Sequence, residues 1–146
     1  MYFLFRFLGM LQSFTEASLK ERRMPIAIQA LLLLLLIKYS ISKEVFTELY
    51  YFFLGGFISA VLVLVVVLLK FKASLHMMGI SALTAFIFGL CKYYELDYSY
   101  SVGICIICMG AVASSRLYKK AHSPIELVAG IAIGFLPQIL LFSYCL

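Results

Sequence analysis

Residues 46–69 read FTELYYFFLGGFISAVLVLVVVLL, and after Glu48 no charged side chain occurs until Lys70. That leaves 21 uncharged residues in a row. A helix of this length covers about 30 Å, the thickness of the hydrocarbon core of a bilayer. The segment is therefore expected to cross a membrane.

Similar apolar runs lie on both sides of it. Transmembrane helices are expected at about 24–41, 46–69, 74–91, 98–114 and 124–145. Pro25 suits the first turn of the first of these, where its missing N–H costs nothing. The Gly55-Gly56 pair allows a kink or a close contact. Ala82, Ala85 and Gly89 recur at helical spacing, and Gly130 and Gly134 form a G-x-x-x-G, so two helices present faces that a neighbour can approach closely. Tyr93, Tyr94, Tyr98 and Tyr100 flank one loop, as tyrosines of an interfacial belt do. Residues 1–11 are apolar but too short to span, and are read as an interfacial helix or the remainder of a sixth one. Residues 1–23 form an N-terminal segment ahead of the bundle. The fold class expected is all-α, a polytopic bundle of about five spanning helices in a single transmembrane domain, 1–146.

Composition agrees with this reading. Of the 146 residues 64% are apolar and 13% are charged. A soluble domain of that size could not cover so much apolar surface, whereas lipid can. The net charge of +5 sits almost wholly between the apolar runs. Such a balance favours anionic head groups and phosphates over nucleic acid, for which a soluble basic stripe with interleaved aromatics would be needed. Cys105 and Cys108 form a C-x-x-C, but no further His or Cys pair completes a tetrahedral metal site. Free, buried cysteine is the better account. A small transporter or channel fits less well, because such proteins place ionisable groups at mid-membrane. Lys38 is the one charge well inside a run, and it lies toward an end.

Five crossings put the starts of the first, third and fifth helices on one face. That face holds Arg6, Lys20, Arg22, Arg23, Lys70, Lys72, Arg116, Lys119 and Lys120, against Lys38, Lys43 and Lys92 on the other. The positive-inside rule places the richer face in the cytoplasm. Three polar clusters lie on it: Lys20-Glu21-Arg22-Arg23 before Pro25, Lys72-Ala73-Ser74-Leu75-His76, and Ser115-Arg116 running on to His122 and Glu126. Both histidines of the chain are among them. Helix N-termini with unpaired N–H groups, together with arginine forks, make an anion site.

The third cluster spaces Ser-Arg, five residues, His, three residues and an acid. This resembles the third signature of the type 2 phosphatidic acid phosphatase family, membrane enzymes that remove phosphate from lipid phosphates and prenyl pyrophosphates. Ser74 and His76 resemble its Pro-Ser-Gly-His signature, and Arg23 with Pro25 loosely resembles its Arg-Pro. The resemblance runs from about Lys20 onward and is nearest to short bacterial members, which implies a bacterial inner membrane. It implies that His122 is the nucleophile, that Glu126 orients it and that His76 is the general acid. Arg116, Ser115, Ser74, Arg22, Arg23 and Lys72 would hold the phosphate. It implies no metal and no other cofactor, with a lipid phosphate or prenyl pyrophosphate as substrate. It also implies a site that often faces outward, opposite to the charge count.

Structural readings stand beside these. Ser123 and Glu126 also form a capping box, and Ser74 is a fitting N-cap. The histidines also suit wet helix ends. Four positions depart from the family pattern: Ala73 for Pro, Leu75 for Gly, Glu126 for Asp, and Glu16 where the family has an upstream Lys. The alternative function is a catalytically inactive relative that binds anionic lipid or scaffolds a membrane partner.

Overall fold

The computed structural model describes residues 19–97 and 99–145. Five helices follow one another: α1 (Leu19–Tyr39), α2 (Thr47–Leu68), α3 (Leu75–Tyr93), α4 (Ser99–Tyr118) and α5 (Pro124–Cys145). No strand occurs among the described residues. Among the described residues four helices are long and apolar enough to cross a bilayer: Thr47–Leu68, Leu75–Tyr93, Tyr100–Tyr118 and Pro124–Tyr144. The chain is thus an all-α integral membrane bundle.

α1 is the exception among the five expected crossings. Between Arg23 and Lys38 it has fourteen uncharged residues, about 21 Å of helix. It also starts earlier than expected. Lys20, Glu21, Arg22 and Arg23 are good helix formers and continue it backward, so Pro25 lies inside the helix rather than at its first turn. α4 runs to Tyr118, beyond the expected 114, which puts Ser115 and Arg116 in its last turn. The interfacial reading of residues 1–11 falls outside the described residues.

α2, α3 and α5 form the centre, with the most extensive contact between α3 and α5. α1 lies against α2, and α4 against α3. The outer faces are apolar and open, as Leu31, Leu34, Leu35, Val65, Ile104, Ile107 and Leu140 show. The small residues point inward. A Cβ on Gly130 would stand 2.5 Å from the Ser74 carbonyl oxygen, and one on Gly134 would collide with the Met78 carbonyl oxygen. Ala82, Ala85 and Gly89 are buried, and a Cβ on Gly89 would meet the Phe142 ring. Two helices can approach this closely only where side chains are missing.

Polar groups inside the bundle each have a use. Pro137 has no N–H to offer the Ile133 carbonyl one turn back. The Ser59 hydroxyl of α2 donates to that carbonyl instead, at 2.9 Å. The Gln138 amide donates to the Phe52 carbonyl at 2.9 Å, in space that Gly55 leaves. Thr84 donates to the Ile80 carbonyl at 2.7 Å. Hydrocarbon offers no replacement partner, so an unmade bond here would be costly. Cys91, Cys105 and Cys108 are free; Cys105 is buried as expected, whereas Cys108, three residues on, lies exposed on the outer face of α4.

At the far end, Tyr94 donates to the Glu48 carboxylate, and Lys43 stands 5.4 Å from the Tyr51 ring centre. Tyr93, Tyr94 and Tyr100 are exposed there, at the level expected of an interfacial belt.

Gly134→Ala is expected to lower the thermal unfolding midpoint in detergent, at a cost of about 1–3 kcal/mol from overpacking. Gly110 has open space around it. Gly110→Ala should leave the midpoint unchanged or raise it slightly, by up to about 1 kcal/mol. Circular dichroism melts of the two variants make the comparison.

Candidate active site

Two tight reversals build the basic end. α2 stops with Lys70 in the left-handed region (φ 66°), where Phe71 N–H donates to the Val66 carbonyl at 3.0 Å and Lys70 N–H to Val67 at 3.1 Å. α4 stops in the same way. Lys120 has φ 50°, Ala121 N–H donates to the Arg116 carbonyl at 3.0 Å, and Lys120 N–H to Leu117 at 2.9 Å. These are Schellman endings, with lysine where glycine is usual. Each returns the chain within a few residues to a serine N-cap, Ser74 for α3 and Ser123 for α5.

The two helix starts are joined directly, because Ser74 N–H donates to the Glu126 carbonyl at 3.1 Å. Ser74 is fully buried, and its hydroxyl oxygen accepts from Met77 N–H at 3.4 Å. Its place is that of a cap beneath the surface. The hydroxyl is closed to solvent, which separates it from the expected phosphate contact.

Glu126 serves two partners with one oxygen. Its Oε2 lies 2.8 Å from His122 Nδ1 and 3.2 Å from the Ser123 N–H. The Glu126 N–H in turn donates to Ser123 Oγ at 3.3 Å. The capping box and the histidine partnership therefore coexist. An ionised carboxylate fixes the proton on Nδ1 and leaves the Nε2 lone pair available. His122 is buried, with 9% of its surface exposed. Burial holds its pKa below the ordinary 6.5, and Arg22 and Lys72 push the same way. Glu126 opposes this through its hydrogen bond and its charge without reversing it.

His76 is exposed in the first turn of α3, and partial desolvation together with the nearby charges of Arg116, His122 and Arg22 lowers its pKa below the ordinary 6.5. The start of α1, the start of α3, the end of α4 and the start of α5 thus meet here. Arg116 and Arg23 each carry a buried Nε with no hydrogen-bond partner. A buried charged donor left unpaired costs about 1–3 kcal/mol or more, and an anion would supply its acceptor. Ser115 is half-buried in the last turn of α4, and its carbonyl accepts from Lys119 N–H at 3.2 Å. Among the described residues no group of three His, Cys, Asp or Glu is placed to hold a metal ion.

Beneath these groups lies an apolar floor of Ile26, Val63, Val67 and Met78, with Leu64, Leu75 and Ile133 packed on it. Two grooves among the described residues lie elsewhere. One, of about 370 Å³, lies between α2 and α5. The other, of about 440 Å³, lies between α3 and α5 near Lys92 and Tyr93.

The two histidines, Glu126, Arg22 and Arg116, all singled out by sequence spacing, lie together in the structure. The Ser74–Glu126 backbone bond has no signal in the sequence, since any residue but proline could donate there. No protein-family model matches the chain, and no curated protein or solved structure matches it.

Lysine in the left-handed region costs about 1 kcal/mol more than glycine. Lys120→Gly is therefore expected to raise the thermal midpoint in detergent, by the equivalent of about 0.5–1 kcal/mol. The same melt on Lys119→Gly, within the ordinary backbone region, should show no gain.

Proposed function

We propose that the chain is a membrane phosphatase acting on a lipid phosphate or prenyl pyrophosphate, with His122 as nucleophile. The observation that carries the reading is the pairing of buried His122 with half-buried Glu126, within the field of Arg22 and Lys72. His122 Nε2 attacks phosphorus as the bond to the leaving oxygen breaks, giving a phosphohistidine. His76 gives its proton to that oxygen. Water then attacks phosphorus, His76 takes up the proton, and inorganic phosphate leaves with His122 restored. Arg116 and Arg22 balance the charge on the phosphoryl oxygens, and Arg23, with its unpaired Nε, is the further candidate. A lowered His122 pKa keeps the nucleophile neutral near pH 7.

The second reading is an inactive relative that binds anionic lipid. Its support is that the Ser123–Glu126 capping box alone would hold Glu126 where it stands. The two readings separate in one assay. Purified protein given a lipid phosphate with EDTA present should release phosphate, and His122→Ala should release none. Absence of release from intact wild-type protein that still binds the lipid would establish the second reading. Release persisting in His122→Ala would reject the nucleophile.

The pH profile tests the electrostatics. Protonation of His122 blocks attack and loss of the His76 proton removes the general acid; both pKa values lie below the ordinary 6.5, so kcat/KM should be bell-shaped with its optimum on the acid side of neutrality. Lys72→Ala removes a cation that lowers this pKa, so the acid limb should move to higher pH. Glu126→Gln removes the carboxylate that raises it, so the limb should move lower. The rate of that variant should drop by on the order of a hundredfold or more.

A further inference from the structure

We infer that the groove between the ends of α3 and α5, on the side of the bundle away from the histidines, seats an anionic phospholipid of the leaflet on that side. The cavity is about 440 Å³, within the range of about 300–1,000 Å³ usual for small-molecule sites. Phe88, Ile139 and Phe142 give it an apolar wall, and Lys92, Tyr93 and Ser143 bring an ammonium and two hydroxyls to its lining. The groove is built into the helix contact. Gly89 has no Cβ, so the Phe142 ring lies directly against α3. Tyr93 packs edge-on against Tyr94, with ring centres 4.9 Å apart, and Tyr94 is held in turn by Glu48 of α2.

Depth selects the leaflet, and charge selects the head group. Phe88 lies about 8 Å from the end of α3 at Tyr93, and Ile139 about 9 Å from the end of α5 at Cys145. One leaflet of hydrocarbon is about 15 Å deep. The groove therefore occupies the outer part of a single leaflet, where a phospholipid carries its phosphate, glycerol and first methylenes. Lys92 is the one charged side chain in the lining, and among the described residues it makes no ion pair. Glu95 and Asp97 follow α3 without lining the groove, and Glu48 is engaged by Tyr94. An unpaired ammonium beside two hydroxyl donors complements a phosphate that keeps its net negative charge. Phosphatidylcholine cancels that charge with its own choline, and phosphatidylglycerol does not. A single lysine at the membrane surface favours the anionic lipid by about fivefold. Seated there, the lipid bridges α3 and α5 at the far end of the crossing that joins their starts.

The chain contains no tryptophan, so Ile139→Trp places a single fluorophore in the groove. The variant is reconstituted in phosphatidylcholine vesicles, with phosphatidylglycerol or phosphatidylcholine brominated on the upper acyl chain as quencher. Brominated phosphatidylglycerol should half-quench the fluorescence at about one fifth of the mole fraction that brominated phosphatidylcholine needs. Adding Lys92→Gln should abolish that difference, and adding Lys70→Gln, at the basic end, should leave it intact. Equal quenching by the two lipids would mean that bulk lipid fills the groove, and no quenching by either that protein covers it. A preference that survives Lys92→Gln, or that Lys70→Gln removes equally, would reduce the effect to net charge. Each of these results overturns the proposal. A second measurement needs no reporter. Phosphatidylglycerol added to wild-type protein in neutral detergent should raise the thermal unfolding midpoint, and Lys92→Gln should lose that rise. A rise unchanged in Lys92→Gln, or absent from wild-type protein, overturns the proposal as well.

Discussion

The contact between α5 and the first turns of α3 governs the arrangement of everything else. Gly130 and Gly134 let the α5 backbone lie on the Ser74 and Met78 carbonyls, where no Cβ fits. At that distance the Ser74 N–H reaches the Glu126 carbonyl. The starts of two helices are thereby fixed to each other by backbone, which has no rotamers to lose. His76 follows one cap by two residues, and His122 precedes the other by one. Their mutual placement is inherited from a helix crossing rather than from loop conformation. α1 and α4 then bring Arg22 and Arg116 to a position already set.

The bilayer imposes the division between structural and chemical polar groups. Inside the hydrocarbon layer Ser59, Thr84 and Gln138 are all engaged with backbone carbonyls, so none adds a free polar atom. Charge is confined to the ends, where water and head groups can reach it. At one end a carboxylate is held by a neutral donor, Tyr94 on Glu48. At the other, cations predominate around a buried imidazole paired with Glu126. The apolar floor of Ile26, Val63, Val67 and Met78 makes that accumulation tolerable, because its burial opposes the mutual repulsion of the cations.

Much of this is legible in the sequence for a simple reason: lipid allows few solutions. A run such as residues 49–69 has to be a helix, and small residues repeated every three or four positions have to face another helix. The spacing of His122 and Glu126 on adjacent turns likewise forces their contact. Legibility fails where the deciding group is backbone. Nothing about Pro25 says that Lys20, Glu21, Arg22 and Arg23 extend α1 backward past it. Nothing about Lys70 or Lys120 announces a left-handed residue, since glycine usually signals one. Ser74 showed its type but not its depth, and depth decides that it caps a helix instead of touching a ligand. The Pro137–Ser59 exchange was hidden for the same reason, because the carbonyl involved belongs to Ile133, whose side chain is silent about it.

Glu126 joins the two levels of the molecule in one oxygen. The Ser123 N–H and His122 Nδ1 both depend on Oε2, so the start of α5 and the state of the imidazole cannot vary independently. Truncation to alanine would remove a helix cap worth about 1 kcal/mol together with the partner of the histidine, and its effect on chemistry could not be separated from its effect on folding. Glutamine keeps an acceptor for the cap while removing the charge. The longer reach of glutamate over aspartate also acquires a reason here. With the N-cap at Ser123, the carboxylate of an N3 residue must fold back over a full helical turn to meet the capping N–H, and in doing so it arrives beside His122. Glutamate at this position lets a single side chain close the helix and hold the imidazole at once.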